Sequence, residues 1–332
     1  MKIIFTALFS LMSLMAMESD EITPHKYDDG GPKPYEIPAS SRFTTSRLER
    51  HVPDIVYYFS KPKAETYPIA ILCGGSTSKN NISSIIHLHR YILQEFHNLG
   101  AGVLTVEQWG IDGNTVNQDE FMKHYTRTQR LLDHRTVIEH LKANPPPGWN
   151  GKIILCGASE GGPLVTTLTT DFSDCVIATI NWSGAGDWNW REELWVFVQK
   201  LLSDNPDCPD HKLKLKDCPC MEDVKTRERY DAKMDETLNN PTANKEFLGM
   251  TYLYHADAQQ FTKYDYHKIN THFLVVSGTA DSLIQSSDAF VAKATEAGAN
   301  ITYHRVNDMD HYVRRRPDVI AKTFAWLKAQ LP

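Results

Sequence analysis

Seven largely apolar runs punctuate the chain, at residues 55–59, 67–73, 102–106, 153–156, 176–180, 273–276 and 301–306. Most are continuously apolar instead of alternating, the pattern of strands covered on both faces of a parallel sheet. Between them apolar residues return at helical spacing. Ile82, Ile85, Ile86, Leu93 and Phe96 mark one stripe, and Leu131, Leu132, Val137, Ile138 and Leu141 another, stopped by Pro145-Pro146-Pro147. Near the C-terminus Ile320, Phe324, Leu327 and Leu331 again share one helix face. Strand and helix alternate, which predicts a doubly wound, mostly parallel α/β sheet. Residues 187–270 break the rhythm with helical fragments, charged residues and a cysteine cluster, and no convincing strand. That is too long for a loop in a compact domain and predicts an inserted, mostly helical subdomain.

The two ends of the chain differ in kind. Met1-Lys2 precedes an uncharged, mostly apolar stretch at residues 3–17, followed by Glu18, Asp20 and Glu21. A positive start, a short apolar core and a polar exit describe a secretory signal peptide, with cleavage expected after Ala16 and a secreted or periplasmic product. The alternative is an uncleaved anchoring segment, although a membrane span needs roughly twenty apolar residues. The expected organisation is a leader at 1–17, an extended polar arm at 18–49, an α/β core at 50–186 and 271–332, and a helical cap at 187–270.

Composition narrows the class. Of 332 residues 41% are hydrophobic and 23% charged, as in soluble globular proteins. A net charge of -6, with no basic run longer than Arg314-Arg315-Arg316, gives no reason to expect a nucleic-acid partner. Cys73 and Cys156 end apolar strands and Cys175 begins one, so these read as buried small hydrophobes. Cys208, Cys218 and Cys220 cluster in a polar segment, where export favours a disulfide from Cys208 to either of the others. With His211 they also suggest zinc, but their spacing matches no common structural site, and no metal or other cofactor is expected.

The candidate chemistry begins at Gly157-Ala158-Ser159-Glu160-Gly161-Gly162, directly behind the run at 153–156. A strand, a sharp turn at a serine between glycines, and a helix make a nucleophile elbow. A serine hydroxyl needs a base to take its proton and a carboxylate to orient that base. In open α/β sheets such residues stand at the carboxyl ends of strands. Asp281 follows the run at 273–276 and His311 the run at 301–306, giving the chain order Ser159, Asp281, His311. His87, His89, His97, His134 and His140 fall on predicted helices and read as surface or packing residues. Asp308 and Asp310 read as turn formers.

With this order the sequence resembles the α/β-hydrolase fold family over roughly residues 50–332. The resemblance implies a nucleophile at Ser159, a general base at His311 and an orienting acid at Asp281. It also places the insertion between the sixth and seventh strands, where family members carry a cap. An oxyanion hole needs two backbone N–H donors. Glu160 supplies one, and Gly75 the other, with Ser76 second, in Cys73-Gly74-Gly75-Ser76, where the family often has His-Gly. The loop at 107–114 resembles the family's Asp-x-Arg-Gly-x-Gly loop, with Glu107 and Trp109 substituted, and is expected to brace the site.

Specificity is less legible. Trp182, Trp188, Trp190, Trp195 and Phe197 line a substrate pocket or form the cap's own core. The pocket candidates are Ser76, Trp109, Trp182, Trp188 and Trp190. The expected partner is a small-molecule ester or acyl substrate, cleaved as a carboxylic ester or thioester. Alternatives are a proline-releasing aminopeptidase-like hydrolase, on the acidic segment Trp190-Arg191-Glu192-Glu193-Leu194-Trp195, and a silent hydrolase-fold binding protein. Asn81, Asn181 and Asn300 begin glycosylation sequons, the second expected to be buried. Oligomeric state stays open.

Overall fold

The computed structural model describes residues 41–49, 51–79, 82–184, 186–204, 215–261 and 264–331. The predicted leader, most of the arm, Cys208, His211 and the Asn81 sequon lie outside the described residues.

The described residues form an eight-stranded sheet of β1 (Arg42–Thr45), β2 (Ile55–Ser60), β3 (Tyr67–Cys73), β4 (Gly102–Val106), β5 (Trp149–Ala158), β6 (Val176–Trp182), β7 (His272–Gly278) and β8 (Ile301–Val306). Their spatial order is β1-β2-β4-β3-β5-β6-β7-β8. β1 and β2 pair antiparallel with β2 and β4 respectively, and the remaining pairs are parallel. All seven expected strands are present. β1 lies within the segment read as a polar arm. Its Arg-Phe-Thr-Thr sequence is exposed on the sheet edge, so no second layer demands an apolar run there.

The uniformly apolar strands hide a division between two faces. Ile69, Ile71, Ile153 and Leu155 turn to a layer with Val137, Ile138 and Leu141 of α3 (Arg127–Ala143) and Leu164 and Leu168 of α4 (Gly161–Asp171). Ala70, Leu72, Ile154 and Cys156 turn the other way, to Ile92 and Phe96 of α1 (Ile86–Asn98) and Phe324 and Leu327 of α9 (Pro317–Gln330). Alternate residues of one strand thus serve two cores, which is why the central residues of β3 and β5 are apolar on both faces. A short helix, α2 (Gln118–His124), precedes α3, and α8 (Ile284–Glu296) packs Phe290 under β7.

Between β6 and β7 lie α5 (Trp190–Asp204), α6 (Arg227–Asn239) and α7 (Tyr252–Gln260), with short 3-10 pieces at Leu215–Asp217 and Pro219–Val224. Leu194, Val198, Met221, Val224, Tyr230 and Met234 give this segment its own apolar cluster. It also holds a strand pair absent from the sequence reading, Glu246–Phe247 against Met250–Thr251. Two residues per arm are too few for a periodic signal. The turn is set by Leu248 and Gly249 at φ 48° and 70°, the backbone of a tight hairpin. Cys218 is buried and disulfide-bonded, its partner lying outside the described side chains, whereas Cys73, Cys156 and Cys175 are buried free thiols. Asn181 is fully buried in β6. No described helix is long and apolar enough to cross a membrane.

Candidate active site

β5 delivers Ser159 into a turn at φ 52°, the left-handed region, and α4 starts two residues later. Side chains on the flanking glycines are sterically impossible there. A Cβ on Gly157 would run into the Gly161 carbonyl, and one on Gly161 into the Cys73 carbonyl of β3. The Ser159 N–H donates to the Trp182 carbonyl at 2.8 Å, and the Ser159 carbonyl accepts from the Gly162 N–H at 2.8 Å. The turn is therefore fastened on both sides.

The other two residues arrive on the loops after β7 and β8. Asp281 is buried, and its Oδ1 accepts from the Leu283 N–H at 3.0 Å. His311 Nδ1 lies 2.8 Å from Asp281 Oδ2, and His311 Nε2 lies 2.9 Å from Ser159 Oγ. An ionised carboxylate can only accept, so Nδ1 carries the hydrogen and Nε2 is left to accept from the serine hydroxyl. Burial disfavours the imidazolium, but the charge and hydrogen bond of Asp281 outweigh it and hold His311 above its ordinary value. Burial likewise pushes Asp281 up, yet the histidine and its other hydrogen bonds leave it below the usual carboxylate range. Asp308 adopts φ 55°, and Asp310 accepts the Tyr312 N–H at 2.8 Å, so both shape the histidine loop.

Gly75 lies against the serine, so close that a Cβ there would stand 3.2 Å from Ser159 Cβ and 3.7 Å from Oγ. The N–H groups of Gly75, Ser76 and Glu160 donate to no described residue. Their direction is set from behind. Arg130 Nη2 donates to the Gly74 carbonyl at 2.6 Å, and Nη1 to Glu160 Oε1 at 2.9 Å. Across a trans peptide the C=O and the following N–H point opposite ways, so drawing the Gly74 carbonyl toward Arg130 turns the Gly75 N–H away from it. The other Glu160 oxygen accepts from the phenols of Tyr254 at 2.5 Å and Tyr125 at 3.2 Å.

Ser159 and His311 border two cavities. The inner one, of about 80 Å³, is walled by Trp190, Leu194, Phe197 and Val198 of α5 and by Leu248 and Met250, with Arg127 and Glu193 among them. The outer one, of about 430 Å³, is wider and more polar, bordered by Ser76, His87, Tyr91, Trp182 and Arg314. Among the described residues no cluster of potential metal ligands is present.

Residues 85–314 match the Hydrolase_4 family model, described as serine aminopeptidase, S33. The chain belongs to this family of α/β hydrolases. No curated protein sequence matches it. Among solved structures it resembles Est1E from Butyrivibrio proteoclasticus, at 14% identity and TM-score 0.51 over 88% of this chain and 99% of that one. Rv0554 from Mycobacterium tuberculosis is similar at 15% identity and TM-score 0.53, over 88% and 99%. Pyrococcus horikoshii acylaminoacyl peptidase matches at 14% identity and TM-score 0.51, over 87% of this chain and 40% of that one. At such identities the likeness is one of fold.

Within this α/β hydrolase the pocket candidates separate. Ser76 borders both cavities, Trp190 the inner and Trp182 the outer, where its indole N–H donates to Thr323 at 3.2 Å. Trp188 borders neither, and its backbone N–H donates to Ser286 at 3.1 Å. Trp109 also lies away from the serine. Its ring stacks on His124 at 3.8 Å and carries the Arg47 guanidinium at 3.9 Å, so it ties the loop after β4 to α2 and to the segment following β1. Glu107 in the same loop accepts from Ser84 Oγ and, at 3.2 Å, from the Ile85 N–H at the start of α1. The aromatic stretch serves both expected uses: Trp190 and Phe197 face the cavity, while Trp195 packs on Tyr230.

Arg127, Arg130 and Glu193 were not singled out by sequence as parts of one site. Arg127 and Arg130 are charged residues on a helix, ordinarily a solvated face. Their one sequence signal is a three-residue spacing beside the buried stripe of Leu131 and Ile138. Glu193 was grouped with Glu192, yet the two diverge: Glu192 pairs with Arg227 away from the cavity, while Glu193 is half-buried and accepts from Ser286 Oγ at 3.1 Å. Burial pushes the Glu193 carboxyl up to about 7, against the pull of Arg127 and the Ser286 hydrogen bond.

Proposed function

We propose that the chain is an exported serine hydrolase that cleaves a carboxylic ester or thioester through an acyl-enzyme on Ser159, with His311 as general base and Asp281 orienting it. The observation that carries this reading is the continuous chain Asp281–His311–Ser159, at 2.8 and 2.9 Å. Neutral His311 takes the serine proton at Nε2 as Oγ attacks the carbonyl carbon. The oxyanion is received by the N–H groups of Glu160 and Gly75, which form before substrate binds and so need no reorganisation. His311 then returns the proton to the departing alkoxide or thiolate, and a water activated by the same nitrogen releases the acid. Export rests on the leader pattern at residues 1–17.

A second reading, an aminopeptidase-like hydrolase, draws on the family description and on Glu193 in the inner cavity. The ester reading is preferred because Arg127, on the same wall as Glu193, repels an ammonium group. Labelling with a fluorophosphonate probe tests the common chemistry: the wild type should label and Ser159→Ala should not. Absence of wild-type labelling would favour the silent binding protein. Aryl esters assayed against prolyl-naphthylamide, with Glu193→Gln in parallel, separate the two substrates. Efficient amide cleavage lost in Glu193→Gln would overturn the ester reading.

A further inference from the structure

One charge in the wall of the inner cavity has no hydrogen-bonded counterpart. Arg127, the first residue of α3, is 5% exposed, and its Nε is a fully buried donor without an acceptor. Its single ion-pair contact among the described residues is Glu160 Oε1 at 4.0 Å. That oxygen already accepts from Arg130 at 2.9 Å, and the other Glu160 oxygen accepts from two phenols. Arg127 is held instead by its flat face, 4.6 Å from the centre of the Trp190 ring, which leaves the edge of the guanidinium uncommitted.

A buried guanidinium is costly unless it is paired, and its planar fork matches a carboxylate bidentately. Two guanidiniums, Arg127 and Arg130, meet one committed carboxylate, Glu160. Glu193 forms no ion pair with Arg127 within 4 Å, and burial raises its carboxyl to about 7. The guanidinium edge of Arg127 therefore stays without a hydrogen-bonded acceptor on a wall that Ser159 and His311 share. We propose that Arg127 receives the carboxylate of an acidic acyl group, so that the preferred substrates are monoesters or monothioesters of short dicarboxylic acids. The acyl side is assigned to the inner cavity because the leaving group must depart and water enter while the acyl group stays, and the wider outer cavity offers that route. The volume of about 80 Å³ favours short chains. This inference rests on the ester-hydrolase reading above.

The experiment compares kcat/KM for the mono-p-nitrophenyl esters of succinic and glutaric acid with p-nitrophenyl butanoate and pentanoate, in wild type, Arg127→Gln and Arg127→Lys. The wild type should prefer the acidic ester at least tenfold. That ratio should fall tenfold or more in Arg127→Gln, with Arg127→Lys between them. Calorimetric binding of glutarate against pentanoate to Ser159→Ala, with and without Arg127→Gln, reads the same contact without catalysis. Glutarate binding that depends on Arg127 in a protein that cleaves no ester would retire the hydrolase reading and keep the anion site. Ester cleavage with no acidic preference in the wild type, or an equal loss on both esters in Arg127→Gln, would overturn the role of Arg127.

Discussion

Arg130 Nη1 lies 2.9 Å from Glu160 Oε1 while Nη2 lies 2.6 Å from the Gly74 carbonyl, so one buried side chain fixes both backbone segments beside Ser159. Removing it should therefore damage geometry as well as stability. Arg130→Met leaves Glu160 buried with two phenols and a distant Arg127, a loss of about 3–5 kcal/mol. The double variant Arg130→Met/Glu160→Gln removes the stranded charge and should recover part of that stability in thermal unfolding. It should not recover kcat, because the Gly74 carbonyl stays loose. Full recovery of kcat in the double variant would refute the positioning role of Arg130.

The elbow itself is intolerant of the smallest side chain. Gly161→Ala drives a methyl into the Cys73 carbonyl and should cost about 3 kcal/mol or more, since backbone at the end of β3 or the start of α4 must move to relieve it. Chemical denaturation checks this, with Ser159→Ala, expected within about 1 kcal/mol of wild type, as the comparison.

His311 must be neutral to accept the serine proton, so ester hydrolysis should rise with pH. Asp281 holds the imidazole above its ordinary value of 6.5, and the midpoint of the kcat/KM profile should lie above that pH. Asp281→Asn should move the midpoint down and lower kcat by about 10⁴-fold. The sign for stability is the reverse: the ion pair contributes fully below the unfolded histidine value and is lost as pH rises through the folded one. Thermal stability at pH 6 should exceed that at pH 8 by more in wild type than in Asp281→Asn.

The disulfide at Cys218 closes a loop in the segment that walls the inner cavity. Its reduction, or Cys218→Ser, should lower stability by about 2–4 kcal/mol. Calorimetry with and without reductant measures the change, and a first transition confined to residues 190–260 would appear as local loss of hydrogen-exchange protection.

Most of the sheet was legible because β3, β4, β5 and β6 are covered on both sides and can tolerate hardly any polar residue. β1 was not, because an exposed edge imposes no such demand. Ser159, Asp281 and His311 were legible from their places after strands, which topology alone brings within hydrogen-bonding distance. The second tier was not. Arg130 and Glu160 are thirty positions apart, and nothing local distinguishes a buried arginine on α3 from a solvated one. Trp109 failed as a pocket residue for the same reason: its loop was located correctly, but the direction of its ring depends on His124 and Arg47, which only the folded chain supplies.

The two cavities meeting at Ser159 are built from different stretches of chain. On the proposed mechanism, the attacking oxygen, its base and the orienting acid come from loops of the sheet, whereas Leu194, Phe197, Leu248 and Met250 shape the inner space. What is recognised and how it is broken are thus separately mutable. Exchanging Leu194 or Phe197 for smaller residues would lengthen the acceptable acyl chain without moving the serine. An ancestral reaction of this kind could drift toward new compounds through α5 alone, while the elbow stayed fixed by its own steric limits.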